Sequence, residues 1–288
     1  MKIAVIGPGA IGGTVIVRLA QAKEHNVTVY ARSAVAQFTL EAPEGTMTAT
    51  PDVLISPGQA RPVDWILVAT KAYDAAAVAA WFQPLMGPDT RLAVLQNGVE
   101  HIRRFAPFFP ESRIVPVVVD LPVERKAAGC FWQRRSGSFT VPANPNGESF
   151  AHLFHNTGIE VVLTDDFPTA LWRKLAVNCA GAVSALVLKP SSIARQPEIA
   201  KIMQSLVREC VAVGRAEGAS LDDTLVESVV DRYRKEPPGS INSLHADRLA
   251  GRPMEIDTRN GVIVRLGRKH GIPTPTNQMI VALLEAVA

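Results

Sequence analysis

The first residues whose types and spacing suggest chemistry are glycines near the N-terminus. The run Gly7-Pro8-Gly9-Ala10-Ile11-Gly12 directly follows the apolar segment KIAVI and opens a helical pattern. In that context the first glycine permits a tight turn, the second lets the backbone approach a pyrophosphate, and the third allows close packing of helix on strand. The N–H groups at the helix N-terminus also favour an anion. The run therefore predicts a dinucleotide site, and a ligand-free glycine turn is the alternative.

The end of the second predicted strand distinguishes NAD from NADP. An acidic residue there would accept hydrogen bonds from a ribose 2′-hydroxyl and repel a 2′-phosphate. The chain has Tyr30-Ala31-Arg32-Ser33 instead. Arg32 offers a bidentate donor to a phosphate, and Ser33 adds a hydroxyl. The pattern predicts NADP(H), whereas an ordinary solvated arginine is the alternative.

Two more polar residues follow predicted strands. Lys71 comes after DWILVAT and Asn97 after RLAVLQ, and ligands of doubly wound sheets bind at the carboxyl ends of the strands. Their positions alone do not decide whether Lys71 and Asn97 are site residues or solvated loop residues.

Lys174 and Asn178 are four residues apart in the helical segment LWRKLAVNCAGAVSAL and share one face of it. Reduction of a ketone leaves an alkoxide, so the reaction needs a proton donor, and Lys174 is suited to that role. Asn178 and Asn97 could orient the reacting groups with neutral hydrogen bonds. The alternative is a lysine that only extends to water. Farther along, Ser243 and Glu255 are either helix caps or site residues.

The elements that must position these residues change in type along the chain. Residues 1–166 alternate β-branched runs with helical patterns, which predicts an α/β domain with a Rossmann-type, doubly wound parallel sheet. The strands predicted between residues 113 and 164 suggest an antiparallel extension at the edge of that sheet. Residues 167–288 show helical periodicity and predict an all-α substrate domain.

Composition excludes several other classes of protein. The net charge of +3 comes from scattered residues without a dense basic block, so we expect no nucleic-acid partner. No apolar run approaches the ~20 residues of a membrane span. The three cysteines show neither disulfide nor zinc spacing, which favours a reducing, cytoplasmic location and no metal.

These motifs in this order resemble the ketopantoate reductases (2-dehydropantoate 2-reductases) over nearly the whole chain. The most specific pieces are W-R-K-L-x-x-N at 172–178 and E-I-D at 255–257. The resemblance implies NADPH-dependent reduction of 2-dehydropantoate to (R)-pantoate, on the route to pantothenate and coenzyme A. It also implies a possible homodimer.

The resemblance implies a role for each candidate. Lys174 is the general acid, and Glu255 contacts the hydroxyl group of the substrate. The carboxylate and carbonyl of the substrate are held by Asn97, Asn178 and Ser243. The residues expected at the cofactor are the glycine run with Arg32, Lys71, Asn97 and Glu255.

One departure concerns the substrate. The family commonly has a second asparagine one turn after Asn178, where this chain has Ala182, so the pocket loses an amide. The change at 243–247, Ser-Leu-His-Ala-Asp for S-M-x-x-D, is mild. Two alternatives therefore stay open: another branched or hydroxylated 2-oxo acid as substrate, or a catalytically silent NADP(H)-binding sensor. Retention of both Lys174 and Glu255 counts against the sensor.

Overall fold

The computed structural model describes all 288 residues. Its strands, in chain order, are β1 (Lys2–Ile6), β2 (Asn26–Tyr30), β3 (Phe38–Ala42), β4 (Gly45–Ala49), β5 (Asp52–Leu54), β6 (Val63–Val68), β7 (Met86–Val94), β8 (Ile114–Pro116), β9 (Val118–Asp120), β10 (Val123–Ala127), β11 (Cys130–Gln133), β12 (Ser138–Pro142) and β13 (Glu160–Thr164). Its helices are α1 (Ala10–Gln21), α2 (Ala75–Ala79), α3 (Phe82–Leu85), α4 (His101–Phe105), α5 (Pro145–Leu153), α6 (Phe167–Ala180), α7 (Ala182–Val187), α8 (Pro197–Ala216), α9 (Thr224–Lys235), α10 (Ser243–Leu249), α11 (Val262–His270) and α12 (Pro275–Ala286).

Contacts divide the chain into two compact units. The first comprises Met1–Gln96 and Glu100–Phe167, and the second comprises Asn97–Val99 and Pro168–Ala288. Asn97 thus directly follows the first unit in sequence but belongs to the second by its contacts. None of the helices combines the length and hydropathy needed to span a lipid bilayer.

The first unit is built on a six-stranded sheet of order β5-β2-β1-β6-β7-β8, and every pair of neighbours is parallel. Its strands are apolar on both faces. In β1, Ile3 and Val5 pack into one core while Ala4 and Ile6 pack into another. Two cores on opposite faces are the mark of a doubly wound sheet, which confirms the predicted fold class.

The later strands differ in detail from the expected edge extension. Antiparallel pairs are present, but they belong to two separate sheets, of order β10-β11-β3-β4 and β13-β12-β9. The reason is that β3 and β4, which the sequence did not predict, form a hairpin that offers β11 a parallel partner. Helix α5, also unpredicted, connects β12 to a parallel β13.

The second unit is helical, as predicted, around one apolar core. Two helical segments of this unit are interrupted. The segment 168–188 forms α6 and α7 on either side of Gly181, and the segment 255–270 contains a π-helical turn at Asp257–Gly261 before α11. In the first unit, two short helices, α2 and α3, likewise follow each other closely between β6 and β7. π-Helical turns next to α-helices, like the one at Asp257–Gly261, are frequent at functional sites.

The packing of α1 yields a first prediction. A Cβ built at Gly13, inside this helix, would lie 1.9 Å from Cζ of the buried Phe131 on β11. Glycine to alanine ordinarily stabilises a helix interior by about 1 kcal/mol. Here we expect Gly13→Ala to lower the free energy of unfolding by about 1–3 kcal/mol through overpacking, measured by urea denaturation.

Gly9→Ala is the matched control, because a Cβ at Gly9 meets nothing within 4 Å. It should leave the urea midpoint unchanged. A Gly13→Ala protein as stable as the wild type would contradict the packing described between α1 and β11.

Candidate active site

The glycine run forms a tight turn between β1 and α1. Gly7 has a φ of +92°, which favours glycine, and a Cβ at Gly12 would lie 2.1 Å from the carbonyl oxygen of Gly7. Gly9 is the N-cap of α1, and no side chain caps the helix there. Open space at Gly9 together with uncapped N–H groups fits a bound pyrophosphate. The residues present therefore fit a dinucleotide cofactor.

Arg32 and Ser33 are exposed immediately after β2. Lys71 is half-buried and precedes a short 3₁₀ turn that follows β6. Gln96, which the sequence analysis did not assign, is buried and donates from Nε2 to Thr70 Oγ1 and to the Lys71 carbonyl, both at 3.2 Å. Its amide therefore holds the loop that carries Lys71.

Gln96 is itself held by α4. Arg104 Nη1 donates to Gln96 Oε1 at 3.0 Å, and Nε2 of His101 donates to the Gln96 carbonyl at 2.7 Å. Burial, reinforced by the charge of Arg104, lowers the pKa of His101 to about 4. His101 is therefore neutral near pH 7 and acts as a fixed donor to the backbone.

Three predicted residues of the second unit form one hydrogen-bonded chain. Asn178 Nδ2 donates to Asn97 Oδ1 at 3.3 Å, and Asn97 Nδ2 donates to Glu255 Oε2 at 3.1 Å. Glu255 is buried. The structure thus brings together three residues that are far apart in sequence, with the carboxylate at one end.

Lys174 lies one helical turn before Asn178 on α6 and is half-buried. Ser243 is the first residue of α10 and is exposed. It is not the cap of that helix, because Asn242 is the N-cap and its Oδ1 accepts from His245 N at 3.1 Å. The serine hydroxyl is therefore not used as a cap, and its role remains a prediction.

The position of Asn178 depends on the break between α6 and α7. Four carbonyl oxygens around the break accept hydrogen bonds from side chains of other elements. The pairs are Tyr233 Oη to Val177 O at 2.9 Å, Arg259 Nη2 to Asn178 O at 2.6 Å, Asn260 Nδ2 to Cys179 O at 3.2 Å, and Asn242 Nδ2 to Gly181 O at 2.8 Å. The end of α6 is therefore satisfied by tertiary contacts.

Sequence reasoning missed these four capping residues. One of them, Arg259, had a readable signal, and so did Gly181 at the break itself. Gly181 lowers helix propensity inside the helical segment LWRKLAVNCAGAVSAL, and Arg259 falls on the apolar face that Ile256 and Ile263 define. Nothing in the sequence pairs either of them with its partner.

Comparison with known proteins places this arrangement in a family. Residues 3–146 match the family described as "Ketopantoate reductase PanE/ApbA", and residues 166–288 match "Ketopantoate reductase PanE/ApbA C terminal". The chain belongs to the ketopantoate reductase family. The 2-dehydropantoate 2-reductase of Caulobacter vibrioides is 57% identical over 287 residues, which span 100% of this chain and 99% of the relative.

Solved structures of ketopantoate reductases share the fold. A PanE/ApbA family ketopantoate reductase from Ralstonia eutropha JMP134 superposes with a TM-score of 0.91 at 29% identity, covering 100% of this chain and 98% of that one. A dimeric ketopantoate reductase from Staphylococcus aureus gives a TM-score of 0.89 at 25% identity, with the same coverage. The family and the two-part fold predicted from the sequence are thereby confirmed.

The open space at Gly9 gives a prediction for the cofactor. We expect Gly9→Ala to raise the Kd for NADPH about 10-fold or more, because the added methyl group lies where the pyrophosphate must approach the backbone. Fluorescence titration of NADPH measures the change. An unchanged affinity, in a protein as stable as the wild type, would show that the pyrophosphate binds elsewhere.

Proposed function

We propose that this protein reduces 2-dehydropantoate to (R)-pantoate with NADPH, a step toward pantothenate and coenzyme A. The observation that carries the proposal is the chain from Asn178 through Asn97 to Glu255, with Lys174 one turn away on α6. Membership in the ketopantoate reductase family supports it.

NADPH, when bound, supplies the hydride that reduces the 2-oxo group. As the hydride adds, negative charge develops on the carbonyl oxygen. Lys174 stabilises that charge as an ammonium ion and donates a proton to the oxygen, which yields the hydroxyl group of the product. Lys174 lies beside apolar positions of α6, which limit the access of bulk water. Limited access suits the proton transfer, because water would otherwise compete as a proton donor.

Glu255 accepts a hydrogen bond from the hydroxyl group of the substrate. Its carboxylate is held by the amide of Asn97, so its orientation is set before the substrate arrives. Asn178 uses its N–H group on Asn97, which leaves its amide oxygen as an acceptor for the substrate or for Lys174. Ser243 adds a hydroxyl group for the carboxylate.

The cofactor is assigned as NADP(H) because no acidic side chain follows β2. Arg32 and Ser33 are both exposed there, where they are able to meet a 2′-phosphate. Lys71 supplies a second positive charge from the loop that Gln96 holds. The glycine turn binds the pyrophosphate with backbone N–H groups.

Ala182 favours one other substrate class. It is fully buried and begins α7, one turn beyond Asn178, so no amide extends from this position. A more apolar pocket suits a 2-oxo acid without the hydroxyl group of 2-dehydropantoate. A branched-chain 2-oxo acid is therefore the second candidate.

We also propose a cytoplasmic homodimer. The related S. aureus ketopantoate reductase is described as dimeric. In this chain, Met279 and Leu283 on α12 and Val287 directly after it are exposed at a spacing of four and form an apolar stripe that a second copy would cover. The free thiols of Cys179 and Cys210 support a reducing compartment.

The proposed function is tested by the rate of NADPH oxidation against a panel of 2-oxo acids. We expect the highest kcat/KM with 2-dehydropantoate, a lower value with branched-chain 2-oxo acids, and a preference for NADPH over NADH. A preference for another acid would make Ala182 a specificity change. Clear NADPH binding without turnover of any acid would favour the sensor instead.

The role of Lys174 gives a separate prediction. Lys174→Ala should lower kcat by roughly 10²- to 10⁴-fold with little change in the Kd for NADPH, because the lysine acts in the transition state. Arg173→Ala is the matched control, since that neighbour is exposed and pairs with Asp222 at 3.4 Å. Equal turnover of the two variants would remove the assignment.

A further inference from the structure

The side-chain amide of Gln96 lies between helix α4 and the loop after β6, the Lys71 loop (residues 69–71). Gln96 follows β7 and is buried, with 4% of the residue exposed. On the loop side, its Nε2 donates to Thr70 Oγ1 and to the Lys71 carbonyl, both at 3.2 Å. On the helix side, its Oε1 accepts from Arg104 Nη1 at 3.0 Å. Both ends of the amide are therefore in use, and they connect Arg104 to the Lys71 loop.

Arg104 determines which end of the amide faces the loop. A backbone carbonyl only accepts hydrogen bonds and a guanidinium only donates them, whereas the Thr70 hydroxyl does either. The Lys71 carbonyl and Arg104 therefore both require Nε2 toward the loop and Oε1 toward α4. Without Arg104, the buried Oε1 loses this donor, and rotation of the amide would place Oε1 against the Lys71 carbonyl oxygen. Both arrangements are less favourable than the native one, because burial makes a lost partner costly.

The Lys71 loop packs directly against the glycine turn. A Cβ built at Gly7 would lie 2.5 Å from Thr70 Cγ2 and 2.8 Å from Thr70 N, and a Cβ built at Gly12 would lie 3.1 Å from Ala69 Cβ. Only residues without a side chain let the loop come this close. A shift of the loop would therefore change both the surface that a pyrophosphate approaches and the position of Lys71.

We propose that Arg104 is a positioning residue for the cofactor: it fixes the orientation of the Gln96 amide, and the amide holds the Lys71 loop where NADPH binds. A charged donor suits this role, because a hydrogen bond from a guanidinium is stronger than one from a neutral group. The proposal rests on the proposed function, since it takes the glycine turn and Lys71 to bind NADPH.

The test measures the Kd of NADPH by fluorescence titration, together with kcat and KM for 2-dehydropantoate. Arg104→Met removes the donor while keeping an unbranched side chain. We expect the Kd for NADPH to rise about 5- to 20-fold, as for loss of a charge-assisted hydrogen bond, while kcat at saturating NADPH stays within about twofold of the wild type. Arg104→Lys keeps a charged donor and should recover part of the lost affinity.

Arg103→Met is the matched control. The side chain of this neighbouring arginine is 78% exposed and pairs with Glu100 at 3.0 Å. Its loss should leave the Kd for NADPH within about twofold of the wild type, because exposed ion pairs contribute little. If Arg104→Met raises the Kd no more than Arg103→Met does, the proposal fails.

Gln96→Glu separates the two ends of the amide. The carboxylate still accepts from Arg104, but it has no N–H group for the Lys71 carbonyl and places a negative charge beside that oxygen. We expect the Kd for NADPH to rise at least as much as in Arg104→Met, although the arginine keeps its partner. A Kd equal to that of the wild type would overturn the proposal, even if Arg104→Met does not fold.

A double-mutant cycle decides whether Arg104 acts through Gln96 or on the cofactor directly. In the Gln96→Leu background there is no amide to orient, so adding Arg104→Met should change the Kd by less than about twofold. A rise as large as in the wild-type background would show that the guanidinium contacts NADPH itself, which contradicts a positioning role. A wild-type protein that binds no NADPH would instead refute the proposed function.

Discussion

The arrangement of the helical unit around Asn178 depends on the close approach of two polar side chains to Gly181. A Cβ at this residue would lie 2.4 Å from Tyr233 Oη and 2.9 Å from Asn242 Nδ2, so no other residue fits without displacing them. With both side chains in place, the helix breaks, and carbonyls near the end of α6 bond to other helices. The break thus fixes the turn that carries Asn178, and through Asn178 the orientation of Asn97 and Glu255.

Each unit contains one deeply buried arginine, and the two illustrate different uses of the same side chain. Arg18 on α1 pairs with Glu44 and donates to Gln133 Oε1 at 2.7 Å, which ties the helix to the sheet of β3 and β11. Its charge has a partner within the fold, so the contact is structural. Arg259 instead donates to one backbone acceptor, the Asn178 carbonyl at 2.6 Å. The first arginine thus joins a helix to a sheet, and the second holds the broken end of α6.

The features that could be predicted from the sequence are those determined by residues close together in the chain. The glycine run, the missing acid after β2 and the change to helical periodicity after residue 166 all depend on residues near one another in the chain. The hairpin of β3 and β4 was missed because its strands are short and partly exposed. The break at Gly181 was missed because its cause lies in Tyr233 and Asn242, more than fifty residues away. Tertiary contacts, rather than propensity, decide those elements.

The contacts of the candidate site also join residues that are distant in sequence. The structure explains why position 97 is an asparagine. Asn97 lies 81 positions before Asn178 and 158 before Glu255, so only the family resemblance could group them from sequence. In the structure, the side chain at position 97 must accept a hydrogen bond from Asn178 and donate one to a buried carboxylate. An aspartate would place a second negative charge beside Glu255, and an apolar residue would remove the hydrogen bond that Asn97 donates to that carboxylate. Only an amide has both a donor and an acceptor of suitable size, so the requirement for asparagine follows from the buried charge at Glu255.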